Sequence, residues 1–129
     1  MKQIVLVHDQ QESSTPRKSF LEVSGYGVHL LSNGDEVLQH LEESMPDLLL
    51  MDVLLEGTNG FEVCRKVREK WGPDDLPILL SSGIYRSRIY RDEASAAGAQ
   101  GYILKPCEPD ELVREVAQAL TRSEAARGS

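Results

Sequence analysis

The polar residues of this chain that could do chemistry stand at the ends of apolar runs. His8-Asp9 follows the run 4–7, Asp52 lies near the end of 48–53, Ser81-Ser82 follows 78–80, and Lys105-Pro106 follows 102–104. Two carboxylates, a hydroxyl and an ammonium brought together would suit one type of reaction. A carboxylate can act as a nucleophile and take a phosphoryl group as an aspartyl phosphate. One or two carboxylates with phosphate oxygens and water also make a usual environment for Mg²⁺. Transfer then depends chiefly on positioning and charge neutralisation, which a Lys, a hydroxyl and a metal supply. Strand ends in any α/β protein collect polar residues, so the set does not by itself define a site.

Those positions require strands that end side by side. The runs 4–7, 48–53, 78–80 and 102–104 are nearly continuous, the pattern of strands buried on both faces of a parallel sheet. The run 28–31 includes His29 and reads as an edge strand. Helical patterns separate the runs. Thr15-Pro16 opens one that stops near Gly25. Val37, Leu38 and Leu41 form a stripe ending at Met45-Pro46, and Phe61, Cys64 and Val67 follow helical spacing after Gly60. Residues 88–97 are Ala-rich and close at Gly98. Leu112, Val113, Val116 and Leu120 form the last stripe. This alternation predicts an α/β fold with a doubly wound, five-stranded parallel sheet and right-handed crossovers. Ligands of such sheets bind beyond the carboxyl ends of the strands. The domain is expected to span 1–120, with 121–129 as a helix fraying into a tail or linker.

Composition narrows the function classes. The 129 residues carry 14 basic and 21 acidic side chains, a net charge of −7 that opposes non-specific binding to nucleic acid or anionic membrane. No apolar run approaches the ~20 residues needed to span a bilayer. The two cysteines, Cys64 and Cys107, make neither a disulfide framework nor a zinc set, and a cytoplasmic setting is expected. Residues 85–91 interleave Tyr and Arg. In an acidic chain that segment reads as a solvated helix start, not a nucleic-acid platform. His29 and His40 have no further ligand at metal spacing.

The ordered pieces resemble the receiver domains of two-component response regulators over residues 3–120. They are Pro46-Asp47-Leu48-Leu49-Leu50-Met51-Asp52-Val53, Gly60-Phe61-Glu62-Val63-Cys64, Leu76-Pro77-Ile78-Leu79-Leu80, and the run Ala96-Ala97-Gly98-Ala99-Gln100-Gly101-Tyr102-Ile103-Leu104-Lys105-Pro106. The resemblance implies a flavodoxin-like (βα)5 fold of strand order 2-1-3-4-5. It assigns Asp52 as phosphoacceptor, Asp9 as the second of the acidic pair that binds Mg²⁺, and the Leu54 backbone carbonyl as a further metal ligand. Ser82 becomes the switch hydroxyl, Lys105 the phosphate-pairing lysine, Pro106 the partner in a cis peptide, and Tyr102 the aromatic switch.

Four positions depart from the family pattern. His8 stands where the first acid of the pair is usual, Glu56 replaces a proline, Asn59 replaces Asp before Gly60, and Gly83 replaces Ala beside Ser82. As a metal ligand His8 is doubtful, so Mg²⁺ should bind weakly, and imidazole would suit Mn²⁺ better. The expected partners are a histidine kinase or phosphotransfer protein and a downstream effector meeting helix 88–97 and Tyr102. Homodimerisation is compatible; direct nucleic-acid and membrane binding are not expected. The chain would assist only its own aspartyl phosphorylation and dephosphorylation, without being an enzyme for an external substrate. The alternative is a pseudo-receiver, an interaction module independent of phosphorylation because His8 weakens the metal site. A phosphatase of the haloacid dehalogenase type needs an acid two residues after its nucleophile, where this chain has Leu54.

Overall fold

The computed structural model describes residues 1–8 and 15–128 and, of Thr15, the backbone alone. The elements in order are β1 (Gln3–Val7), α1 (Thr15–Val23), β2 (Gly27–Leu31), α2 (Asp35–Glu43) and β3 (Leu48–Asp52). A two-residue hairpin follows, β4 (Leu54–Leu55) with β5 (Thr58–Asn59), then α3 (Gly60–Arg68) and β6 (Ile78–Ser82). The chain closes with α4 (Arg88–Ala97), β7 (Gly101–Leu104) and α5 (Pro109–Gly128). The main sheet is parallel throughout, in the order β2-β1-β3-β6-β7. With the hairpin set aside, that is the doubly wound order 2-1-3-4-5.

The continuous apolar runs are explained by helices on both faces. Side chains alternate along a strand, so Ile4 and Leu6 of β1, Leu48 and Leu50 of β3, Leu79 of β6 and Ile103 of β7 join one core. Leu21 of α1 and Leu112, Val116 and Leu120 of α5 complete it. Val5, Val7, Leu49, Met51, Ile78 and Leu80 face the other way, against Val37 and Leu41 of α2, Cys64 and Val67 of α3 and Ala94 and Ala97 of α4. At ~25 cal/mol per Å² of apolar surface buried, two such layers hold the sheet without disulfide or metal. Both cysteines are free. Gly98 ends α4 at φ +104°, a left-handed conformation that favours glycine.

Two details differ from the sequence reading. The β4–β5 hairpin was not foreseen, because its strands are too short to show a period. Residues 121–128, expected as a fraying tail, continue α5 as helix. Ser123 is buried there and its hydroxyl donates to the Asp74 carbonyl at 3.0 Å, so a tertiary contact holds the segment. Among the described residues, no helix is long and apolar enough to cross a membrane.

Candidate functional site

Strand parity decides which side chains meet. Leu48 and Leu50 point toward α1 and α5, and Asp52 continues that series at the carboxyl end of β3. In β6, Leu79 shares that side, and Ser81 after it is the register partner of Asp52. The Ser81 hydroxyl donates to Asp52 Oδ1 at 2.9 Å. Beyond β7, Lys105 keeps the parity of Ile103, and its Nζ lies 3.2 Å from Asp52 Oδ2. The Lys105–Pro106 peptide is cis.

A residue that sequence reasoning missed completes the pocket. Arg17, in the first turn of α1, places Nη2 2.8 Å from Asp52 Oδ1 and donates through Nη1 to Ser81 Oγ at 3.1 Å. The Asp52 side chain is 2% exposed, and those of Arg17 and Lys105 are 14% and 17% exposed. Burial by itself raises the Asp52 carboxyl; Arg17, Lys105 and the Ser81 hydrogen bond outweigh it and hold the group below the usual carboxylate range. Asp52 is therefore an ionised carboxylate at neutral pH.

Ser82, one residue on, has the opposite parity. Its hydroxyl accepts from the amides of Ile84 and Tyr85 at 3.1 and 3.0 Å, which folds the loop 83–87 back over the strand end. The Tyr102 hydroxyl donates to the Tyr85 carbonyl at 2.6 Å, and its ring stacks on Phe61 with centroids 6.5 Å apart. Burial raises the Tyr102 phenol, and a hydrogen bond with Ser82 works against that. Arg91 of α4 lies over the Tyr102 ring at 6.0 Å. Ser82, Tyr102 and α4 thus form one connected surface, and Ser82 also borders the cleft at Asp52. Arg86 closes the loop by donating to the Lys105 carbonyl at 2.6 Å.

Of the remaining positions singled out from sequence, Asp9 lies outside the described residues. His8 directly follows β1, is half-buried, and its amide donates to the Leu31 carbonyl at 3.1 Å. Leu54 begins β4 with its side chain turned out. Glu56 is exposed in the hairpin turn. Asn59 caps α3 by accepting from the Glu62 amide at 3.0 Å, which is the role an Asp would fill. Gly60 is pressed against the Asp52 backbone: a Cβ there would lie 2.6 Å from the Asp52 carbonyl oxygen.

Asp9, the other carboxylate that the resemblance assigns to a metal, lies outside the described residues. Asp52 is the carboxylate they bring to the pocket, and two cationic side chains already engage it. Among the described residues, no three His, Cys, Asp or Glu side chains come together as a metal set. The cleft bordered by Asp52, Ser81, Ser82 and Lys105 has a volume of about 10 Å³, close to the ~10–15 Å³ that one water needs.

Comparison with known proteins agrees with this geometry. The family model of the response regulator receiver domain matches residues 4–117. The chain is 33% identical over 125 residues to the phosphate regulon transcriptional regulatory protein PhoB of Rhizobium meliloti, covering 95% of this chain and 54% of that protein. It is 33% identical over 124 residues to the transcriptional regulatory protein BaeR of Escherichia coli, covering 96% of this chain and 50% of that one. The chain therefore spans about half the length of these curated relatives. Among solved structures, a CheY-like response regulator receiver domain protein from Methanospirillum hungatei superposes with TM-score 0.88 at 28% identity, covering 98% of each chain. A response regulator from Chloroflexus aurantiacus gives 0.84 at 31% identity, covering 93% of this chain and 98% of that one. The parallel order, the buried Asp at the end of β3, the Lys after β7 and these matches have one common explanation: the chain belongs to the response regulator receiver domain family.

Proposed function

We propose that this domain is a phosphorylatable receiver, taking a phosphoryl group from the phosphohistidine of a histidine kinase or phosphotransfer protein onto Asp52. One observation carries the reading: a 2%-exposed carboxylate is kept ionised at a strand end where cationic side chains can take over phosphoryl oxygens. An Asp52 oxygen attacks phosphorus and the bond from phosphorus to the donor's imidazole nitrogen breaks. The imidazole keeps the electron pair. Lys105 then pairs with phosphoryl oxygens, as the family resemblance assigns.

The output follows from the second surface. Ser82 faces the loop 83–87 in this conformation, while a phosphoryl group on Asp52 would offer its hydroxyl a charged acceptor. Turning Ser82 toward it releases the amides of Ile84 and Tyr85, and with them the anchor of Tyr102. A partner that reads α4 and Tyr102 then distinguishes two states of one surface. In this reading the domain promotes its own phosphorylation and hydrolysis, and its output is a docking surface.

The test is incubation of the purified chain with acetyl phosphate or phosphoramidate, followed by intact mass. A mass gain of one phosphoryl group that D52A abolishes supports the reading. Failure to label under any metal condition favours a constitutive interaction module instead.

A further inference from the structure

Two side chains that the sequence left unconnected meet at the β2 edge of the sheet. In β2, Val28 and Leu30 pack toward α1 and α5, so His29 between them turns to the face that α2 covers. On α2, His40 stands three residues after the buried Val37 and next to the buried Leu41, at the flank of the apolar stripe. The two imidazoles lie with ring centroids 4.5 Å apart and 23° from parallel. With Gln3, Ser44 and Met45 they border a cleft of about 140 Å³, well above the ~10–15 Å³ that one water needs. No carboxylate is among the described residues that line it. Beyond their contact with each other, neither ring has a hydrogen-bond partner among the described residues, so the ring nitrogens remain available.

Ligand chemistry narrows what such a pair would hold. Mg²⁺ and Ca²⁺ ask for oxygen ligands, whereas imidazole suits zinc, copper and nickel. Two imidazoles bound at ~2.0–2.1 Å to one ion, at angles between square-planar and tetrahedral, put their ring centroids about 4.5–5.2 Å apart. His29 and His40 already stand at that spacing. For both lone pairs to meet on one ion, a ring has to turn about its Cβ–Cγ bond. His29 is exposed on an edge strand and has the room to do so. We propose that His29 and His40 form a two-histidine site for a late first-row divalent cation such as Zn²⁺ or Ni²⁺, with water in the remaining positions. The bound ion ties the edge strand β2 to α2. The site does not involve Asp52 and does not depend on its phosphorylation.

The experiment titrates the untagged chain, H29N and H40N with Zn²⁺ and with Ni²⁺ by calorimetry. The imidazole NMR signals are followed in the Zn²⁺ series, where the chain has only three histidines to assign. With the first equivalent of Zn²⁺, the signals of His29 and His40 should move together while those of His8 stay in place. The melting temperature of the wild type should rise with the ion, because binding favours the folded state. H29N and H40N should each lose at least about 10-fold in affinity, since removing even a supporting group of a metal site costs that much. Mg²⁺ should leave the His29 and His40 signals unmoved. The proposal is overturned if only one of the two histidines responds, if His8 responds in their place, or if either variant binds Zn²⁺ as tightly as wild type. Should a variant fail to fold, the wild-type NMR titration still decides, because a shared ion has to move both signals with one midpoint.

Discussion

Ser81 and Ser82 are adjacent in the chain and serve opposite faces of the sheet. The Ser81 hydroxyl donates to Asp52 Oδ1 at 2.9 Å, whereas the Ser82 hydroxyl accepts from the Ile84 and Tyr85 amides at 3.1 and 3.0 Å. The two-residue period of β6 turns one serine's hydroxyl to Asp52 and its neighbour's to the loop 83–87.

S82A and S81A should have separable effects. S82A leaves two loop amides without their acceptor, which should speed hydrogen exchange at Ile84 and Tyr85 and cost about 1 kcal/mol by urea unfolding. S81A should leave loop exchange unchanged. It removes a hydrogen bond that helps keep Asp52 ionised, so the Asp52 carboxyl should titrate at higher pH, read by carboxyl-carbon NMR. Equal loop exchange in the two variants would show that the faces are not separate.

D52N should destabilise the domain at pH 7 by about 3 kcal/mol, because the part-buried Arg17 and Lys105 lose the carboxylate they both engage. The folded-state value of Asp52 is depressed, so its stabilising contribution is complete above the ordinary carboxylate value near ~3.9 and fades as pH falls through the folded value. The gap between wild type and D52N should therefore close in acid and stay constant between neutral pH and pH ~6. Denaturant unfolding across that series checks both limbs.

G60A tests how closely α3 backs Asp52. An added Cβ would lie 2.6 Å from the Asp52 carbonyl oxygen and 3.0 Å from Val53 Cα, both backbone atoms that cannot turn aside. A loss of about 2 kcal/mol is expected, in the range for overpacking. Slower labelling by acetyl phosphate should accompany it. The two are read by urea unfolding and intact mass.

The thiols should differ in reactivity. Cys64 is fully buried, its Sγ donates to the Ala97 carbonyl at 3.3 Å, and burial pushes its thiol up to about 11. Between its unfolded value near ~8.5 and about 11 the thiol contributes stability that is lost as pH rises. At pH 8 a disulfide reagent should reach Cys64 only on unfolding. Cys107 is half-exposed and should react first, though more slowly than a free thiol, because burial raises it too. Equal native-state rates would contradict the packing around Cys64.

Much of this protein was legible in its sequence. The nearly continuous runs at 48–53 and 78–80 report strands covered on both faces, and Asp52 and Lys105 could be placed at strand ends because local apolar pattern alone marks where a strand stops. The resemblance also named Ser82 and Tyr102, which the structure joins to one loop. Other features were decided only by tertiary packing. Arg17 sits in an ordinary first helical turn, 35 residues from Asp52, and nothing local to it announces an ion pair. Its role comes from which face of the sheet α1 covers and from the parity that turns Asp52 toward that face. The same holds for residues 121–128, whose polar composition reads as a tail until Ser123 meets the Asp74 carbonyl. Local pattern can determine an element and its ends because it acts over a few residues of one chain segment. The partners of a charged side chain depend on distant segments arriving together, and that is set by how the helices pack across the sheet.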